Sequence, residues 1–395
     1  MLSFFTVYDA ASKISCNLEQ QRRRVGKTTL TFHMATHYAL TRPPLALSPE
    51  TVLVIDLCPQ ANVSMALIGK ENVDNLTSQR RTISFYLRDL SSWCDLSTVS
   101  LLAFLTQVKS FNNKIPSNVY LLCGDIHLET VARSLEQKRN VNLADDSAWV
   151  FITSSVRYFI ERHDNPRTLC FTPGIACQPG DNRRWVVFID TNPSFSVYNE
   201  IALLATQRLI IPVNADDSSR EALKSLLHLI YGIAEAELPL EFKRDDHKLT
   251  FSYKSQTNGF RLPLVYLLIH NRATRYNLRS AEAFSQLFTS SYGALQCAFK
   301  NNIECFAPKP PGPFGLHVNQ YFVDISDFHT DGIVALHQGC PLANLTHYFS
   351  LRHVTFLYGT VALSSPQINV HEALTILLLS FKLKDHHWGA THMYC

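Results

Sequence analysis

Two short apolar runs, TVLVIDLCPQ and RWVVFIDTNP, carry valine, isoleucine or phenylalanine at most positions and run into an aspartate, Asp56 and Asp190. A strand with one wet face would alternate polar and apolar residues, so these runs fit strands buried on both faces of a parallel sheet. QRLIIPVNAD around Ile210 and LPLVYLLIHNR around Leu267 repeat the pattern. SNVYLLCGD, ending at Asp125, and DGIVALHQGCPL, around Val334, are expected as fifth and sixth members. Helical segments separate most of them. One runs from Thr28 to about Leu40, with Leu30, Met34 and Tyr38 on an apolar face, and the loop TRPPLALSPE stops it. Strands alternating with helices predict an α/β chain: a doubly wound, mostly parallel sheet flanked by helices, with its ligand at the carboxyl ends of the strands.

At 395 residues, 46% hydrophobic and 17% charged, the chain can bury a sizeable core. A formal net charge of +3 gives no overall field that would recommend nucleic acid or an acidic membrane, which leaves local patches as the remaining electrostatic route to either. The ten cysteines include no C-x-x-C pair and read as reduced thiols of an intracellular protein. The opening MLSFFTVYDAASKISC lacks a basic n-region, and no apolar run approaches the roughly 18 residues of a membrane span. The expected location is the cytoplasm.

The segment VGKTT, Val25 to Thr29, carries the chemistry. Binding a phosphate chain calls for a glycine that lets backbone amides approach, a lysine that reaches the β and γ phosphates, and a hydroxyl that ligates Mg²⁺ at a helix N-terminus. Gly26, Lys27 and Thr28 supply these, a helix follows, and acids stand at the ends of the later strands, Asp190 in the place of a metal-holding carboxylate.

With those motifs in order, the sequence resembles the ParA/MinD family of deviant Walker A P-loop ATPases. RRRVGKTTLTFHMATHYAL followed by VLVIDLCPQANVSMALIG is similar to the family's phosphate loop, helix and switch I. FIDTNPSFSVYNEIALLATQRLIIPVNAD is similar to its switch II and the next strand; LLIHNRATRYN and VALHQGCPL resemble later core segments. The resemblance covers roughly residues 22 to 348, leaving 1–21 as an atypical N-terminal segment and 349–395 as a C-terminal tail. It implies ATP and Mg²⁺ as cofactors and a nucleotide-sandwich homodimer, which in the family binds a surface such as DNA or membrane. By the same resemblance Lys27, Asp56 and Arg22 are the catalytic candidates. Val25, Gly26, Lys27, Thr28, Thr29, Pro212, Asn271 and Arg272 are the nucleotide contacts, with Pro212 in a strand-end loop. Thr28, Asp56 and Asp190 are the metal site.

The departures from the family pattern bear on activity. Its signature lysine falls on Arg22 and its two glycines on Arg23 and Arg24, where side chains oppose a loop that curls around phosphates. Arg22 keeps a positive charge, but a guanidinium fork is not an ammonium point charge. Cys58 stands where a second switch I carboxylate would position the attacking water, and it reads as a small apolar residue packed behind the switch. The first 24 residues offer no good strand except KISCNL, and Asp164 to Arg184 is a Pro/Gly-punctuated insertion, so both are expected to be mis-joined sequence. The tail carries an apolar run, ALTILLLSFKLK, that suits an added helix.

The expected function is therefore ATP binding with slow or impaired hydrolysis. Two alternatives stand beside it: an interaction module on the same fold that has lost catalysis, and a cofactor-biosynthesis ligase of the same superfamily. An iron–sulfur variant would rest on Cys123 alone.

Overall fold

The computed structural model of the protein describes residues 3–7, 26–40, 50–92, 101–139, 146–163, 184–191, 196–213, 217–233, 250–273, 275–276, 279–280, 282–309, 317–326, 329–345, 353–356 and 359–362. Its strands are β1 (Ser3–Val7), β2 (Glu50–Leu57), β3 (Leu105–Gln107), β4 (Val119–Leu122), β5 (Arg184–Thr191), β6 (Arg208–Val213), β7 (Leu264–Ala273), β8 (Arg275–Tyr276), β9 (Arg279–Ser280), β10 (Phe322–Ser326), β11 (His353–Phe356) and β12 (Gly359–Ala362). Eight of them make one sheet in the order β10-β7-β6-β1-β5-β2-β4-β3. Within it only the β3–β4 edge pairing is antiparallel. The pairs β8–β9 and β11–β12 form two small antiparallel ribbons.

The apolar runs are continuous because both faces of the sheet are covered. In β2, Val52 and Val54 join one core with Val186 and Phe188 of β5, while Leu53, Ile55 and Leu57 join the opposite core with Val187 and Ile189. Helix α1 (Lys27–Leu40) closes the first core through Leu30, Phe32 and Met34. On the same side lie α2 (Asn62–Ile68) and α3 (Lys70–Ser78). Helices α4 (Ile83–Ser92) and α5 (Leu128–Arg139) close the second through Ile83, Tyr86, Leu87 and Leu128. Each fully buried large apolar side chain contributes about 1.5–3 kcal/mol, so this two-sided burial is the main stabilising term. Helix α1 is covered on more than the expected single face, and Thr31, His33, Thr36 and His37 are buried with its apolar residues.

Two sequence expectations change. The opening strand is Ser3–Val7, not KISCNL, which lies outside the described residues; it sits between β5 and β6. It escaped notice because residues 8–25 separate it from the loop it was expected to adjoin. The segment DGIVALHQGCPL is a helix, His329–His337, and not a strand. A short apolar run reads alike in both states, and Val334 and Ala335 are buried while His337 is exposed. The outer strand next to β7 is instead β10. The expected insertion, apart from Arg184 at the start of β5, and the run ALTILLLSFKLK lie outside the described residues. Among the described residues no helix is long and apolar enough to cross a membrane.

Candidate functional site

Strands β2 and β5 run in parallel with Asp56 directly opposite Asp190. Helix α1 begins beside them. Gly26, with φ 79°, turns the chain into the helix in a left-handed conformation that a side chain would oppose, and its carbonyl accepts the first helical bond from Leu30 N–H at 2.9 Å. Within the first turn and a half, Thr28 Oγ1 donates to Asp190 Oδ2 at 2.9 Å and Thr31 Oγ1 donates to Asp190 Oδ1 at 3.4 Å. Three sequence candidates, Lys27, Thr28 and Asp190, thus meet at a helix N-terminus, where peptide dipoles favour anions. Thr29 lies half-buried in the same turn.

Asp56 has a different set of partners. Its Oδ1 accepts from Cys58 N–H at 3.0 Å, and its Oδ2 accepts from Ser64 N–H at 3.0 Å and Ser64 Oγ at 2.7 Å. The carboxylate therefore ties the turn after β2 and the first turn of α2 to the strand end. Ser64 Oγ in turn accepts Gly124 N–H at 2.9 Å, which ties in the segment after β4. A Cβ on Gly124 would sit 2.8 Å from Asp56 Cγ, so the close approach needs glycine. Ala61 holds φ 49° in the intervening turn and donates to Cys58 O at 2.9 Å; a left-handed non-glycine residue is local strain beside a carboxylate cluster.

Burial pushes the Asp56 carboxyl up, and the charge of Asp190 adds to the effect against the bonds from Ser64 and Cys58. Burial also raises Asp190, opposed by the Lys27 ammonium and the threonine hydroxyls. Paired carboxyls that resist ionising are what a nearby cation would relieve. Cys58 is 6% exposed, and burial followed by the charges of Asp56 and Asp190 pushes its thiol up to about 12. It is a packed neutral thiol.

The other candidates divide. Arg22, Arg23, Arg24 and Val25 lie outside the described residues. Pro212 is buried inside β6, opposite Ile269 of β7, and not in a loop. Asn271 and Arg272 are in the last residues of β7, and their side chains lie outside the described residues. Cys123 is buried with its thiol pushed up to about 12, and among the described residues no group of three or more His, Cys, Asp or Glu is placed to hold a metal.

Sequence reasoning missed Thr31, Ser64 and Gly124. Thr31 lies one helical turn from Thr28, a spacing that could have revealed it. Ser64 and Gly124 meet Asp56 only through the fold. Asp125, foreseen as a strand end, lies past β4 and accepts from Thr82 and Ser84 at the start of α4 and from His127 N–H at 2.7 Å.

No protein-family model matches the sequence, and no curated protein matches it. Solved structures do. Apo McdA of Cyanothece superposes with a TM-score of 0.53 at 14% identity, covering 96% of this chain and 100% of that one. An ATP complex of a single-residue variant of Cyanothece McdA gives 0.51 at 12% identity, covering 100% and 99%. The chain has the fold of these two McdA structures. Strands β1, β5 and β2 lie at the centre of the sheet in this chain, and Thr28 and Asp190 stand at its carboxyl edge.

Proposed function

We propose that the chain is a ParA/MinD-like nucleotide-binding protein that takes up ATP with Mg²⁺, pairs as a nucleotide-sandwich dimer, and hydrolyses ATP slowly or not at all. The observation that carries this reading is the 2.9 Å contact between Thr28 Oγ1 and Asp190 Oδ2 at the start of α1. One hydroxyl and one buried carboxylate suit Mg²⁺, which dehydrates reluctantly and completes its shell with water and phosphate oxygens. Thr28 and Asp190 would hold it, and when bound the ion would neutralise charge on the phosphates. Lys27 would bind the β and γ phosphates, and the amides of the first turn of α1 would orient them. Asp56 would hold switch I in register through Cys58 and Ser64. That one of the similar structures is an ATP complex supports ATP as the nucleotide.

A second reading, a non-enzymatic interaction module on the same fold that binds nucleotide weakly or not at all, is favoured by Cys58. Its neutral buried thiol offers no charged acceptor for an attacking water. Titration of the purified chain with ATP and Mg²⁺, with turnover followed on the same sample, separates the two. Binding that is lost in Lys27→Ala supports the phosphate-loop assignment; unchanged affinity in that variant overturns it. Turnover above background then favours the ATPase over the module.

A further inference from the structure

A cleft of about 530 Å³ lies away from the phosphate loop, walled by the last turn of α2, the segment 109–114 ahead of β4, and the end of the helix His329–His337. Helix α2 spans the distance between the two places. Its first turn, at Ser64, holds Asp56, whereas Met65, Ala66, Ile68 and Gly69 line the cleft. The segment 109–114 precedes β4, so the cleft opens toward the amino ends of the parallel strands.

The walls are fixed by hydrogen bonds. Asn112 Nδ2 donates to Leu67 O at 3.0 Å and to Gly339 O at 2.8 Å, clamping the ends of both helices to one side chain. Lys114 Nζ donates to Gln338 O at 2.8 Å, and Lys109 Nζ donates to Asn113 O. Helix C-termini are electronegative, and the bonds from Asn112 and Lys114 cap carbonyls there that would otherwise repel an anion. Lys109, Lys114 and His337 line the cleft, and among the described residues no aspartate or glutamate does. The volume falls in the range of about 300–1,000 Å³ typical of small-molecule sites. Phe111, 39% exposed, gives one rim an apolar surface.

We propose that this cleft binds a small phosphate-bearing anion, its phosphate held by Lys109 and Lys114 and its organic part set against Phe111. Two ammonium groups with fixed anchor points, the side-chain amide of Asn113, and a lining that among the described residues holds no carboxylate select for concentrated negative charge. A structural role for the lysines, capping helix ends, explains the bond from Lys114 to Gln338. It does not explain Lys109, whose bond is to Asn113 O in its own loop, nor a cleft of this volume beside it.

The test uses the full chain carrying Lys27→Ala, so that the phosphate loop does not contribute, and inorganic pyrophosphate as the probe in isothermal titration. The expected result is saturable binding that weakens by about tenfold or more when Lys109→Gln and Lys114→Gln are added, since both substitutions remove a charge-assisted donor to the phosphate. Ser110→Glu, at an exposed lining position, gives a second variant that leaves the wall bonds intact and should weaken binding by repulsion. No saturable binding in the Lys27→Ala chain, or binding indifferent to Ser110→Glu and to both glutamines, overturns the proposal. Loss of binding to duplex DNA but not to pyrophosphate in the same variants would also overturn it, in favour of a nucleic-acid surface.

Discussion

Asp56 and Asp190 face each other across neighbouring parallel strands, both fully buried, with different hydrogen-bond partners. Asp190 looks toward the hydroxyls of α1, and Asp56 holds the turn after β2. Two buried carboxyls at one register position cost folding energy when both ionise, and a site that binds a cation has reason to keep that cost.

The first prediction follows from its sign. Burial raises both carboxyls above the unfolded value of 3.8, so the folded state binds more protons than the unfolded state. Ligand-free stability should therefore fall as pH rises from about 4 to about 7, the interval between unfolded and folded ionisation. Asp190→Asn should remove much of that fall and raise ligand-free stability at neutral pH by on the order of 1–3 kcal/mol. It should also weaken Mg²⁺-dependent ATP binding. Urea unfolding across this pH range checks the first part; a pH slope unchanged by the substitution counts against the paired-carboxylate account.

A second buried group acts with the opposite sign. Burial, helped by neighbouring His37, lowers His33 to about 3, so His33 stays neutral in the folded state while the unfolded chain binds a proton at its ordinary 6.5. Its contribution is present above that value and is lost as pH falls toward about 3. His33→Leu should flatten the acid limb of the stability curve by up to a few kcal/mol between about pH 4 and pH 6.5. Equal acid sensitivity in the variant and the parent would show that the imidazole is not shielded inside α1.

How much of this was legible in the sequence depends on where each contact is made. The strands ending at Asp56 and Asp190 were readable because burial on both faces leaves an unbroken apolar run. Lys27 and Thr28 were readable because a phosphate loop is local in sequence. The opening strand was not, because residues 8–25 lie between Val7 and Gly26. The Ser64 to Gly124 link spans 60 residues and has no local pattern to announce it. Pro212 was placed in a strand-end loop by the resemblance, yet β6 continues through it, opposite Ile269 of β7.

The third prediction tests that hidden link. Gly124→Ala puts a methyl group 2.8 Å from Asp56 Cγ and 3.0 Å from Asp56 O, in a region with no slack. Overpacking of this kind typically costs about 1–3 kcal/mol. Ser64→Ala removes the 2.7 Å donor to Asp56 and the acceptor for Gly124 N–H, with a cost of similar order, about 1–3 kcal/mol for a buried group left unsatisfied. Both variants should also loosen ATP binding through the displaced turn after β2. Full stability of Gly124→Ala in thermal melts would show that the approach is looser than the geometry implies.

The last prediction returns to Cys58. A carboxylate at this position could accept a hydrogen bond from an attacking water, and such groups typically contribute about 10²- to 10⁴-fold to a rate. The surroundings set a cost. The same burial and the same two aspartates that push the thiol up to about 12 would act on Cys58→Asp, which adds a third acid to a buried pair. The ligand-free variant should therefore melt lower than the parent. With Mg²⁺ and ATP bound, the cation would offset the added charge, so turnover should rise while ATP affinity changes little. Melting temperature and turnover measured on one preparation separate the two effects. A variant that is less stable and no faster would remove residue 58 from the chemistry and leave the thiol as packing alone.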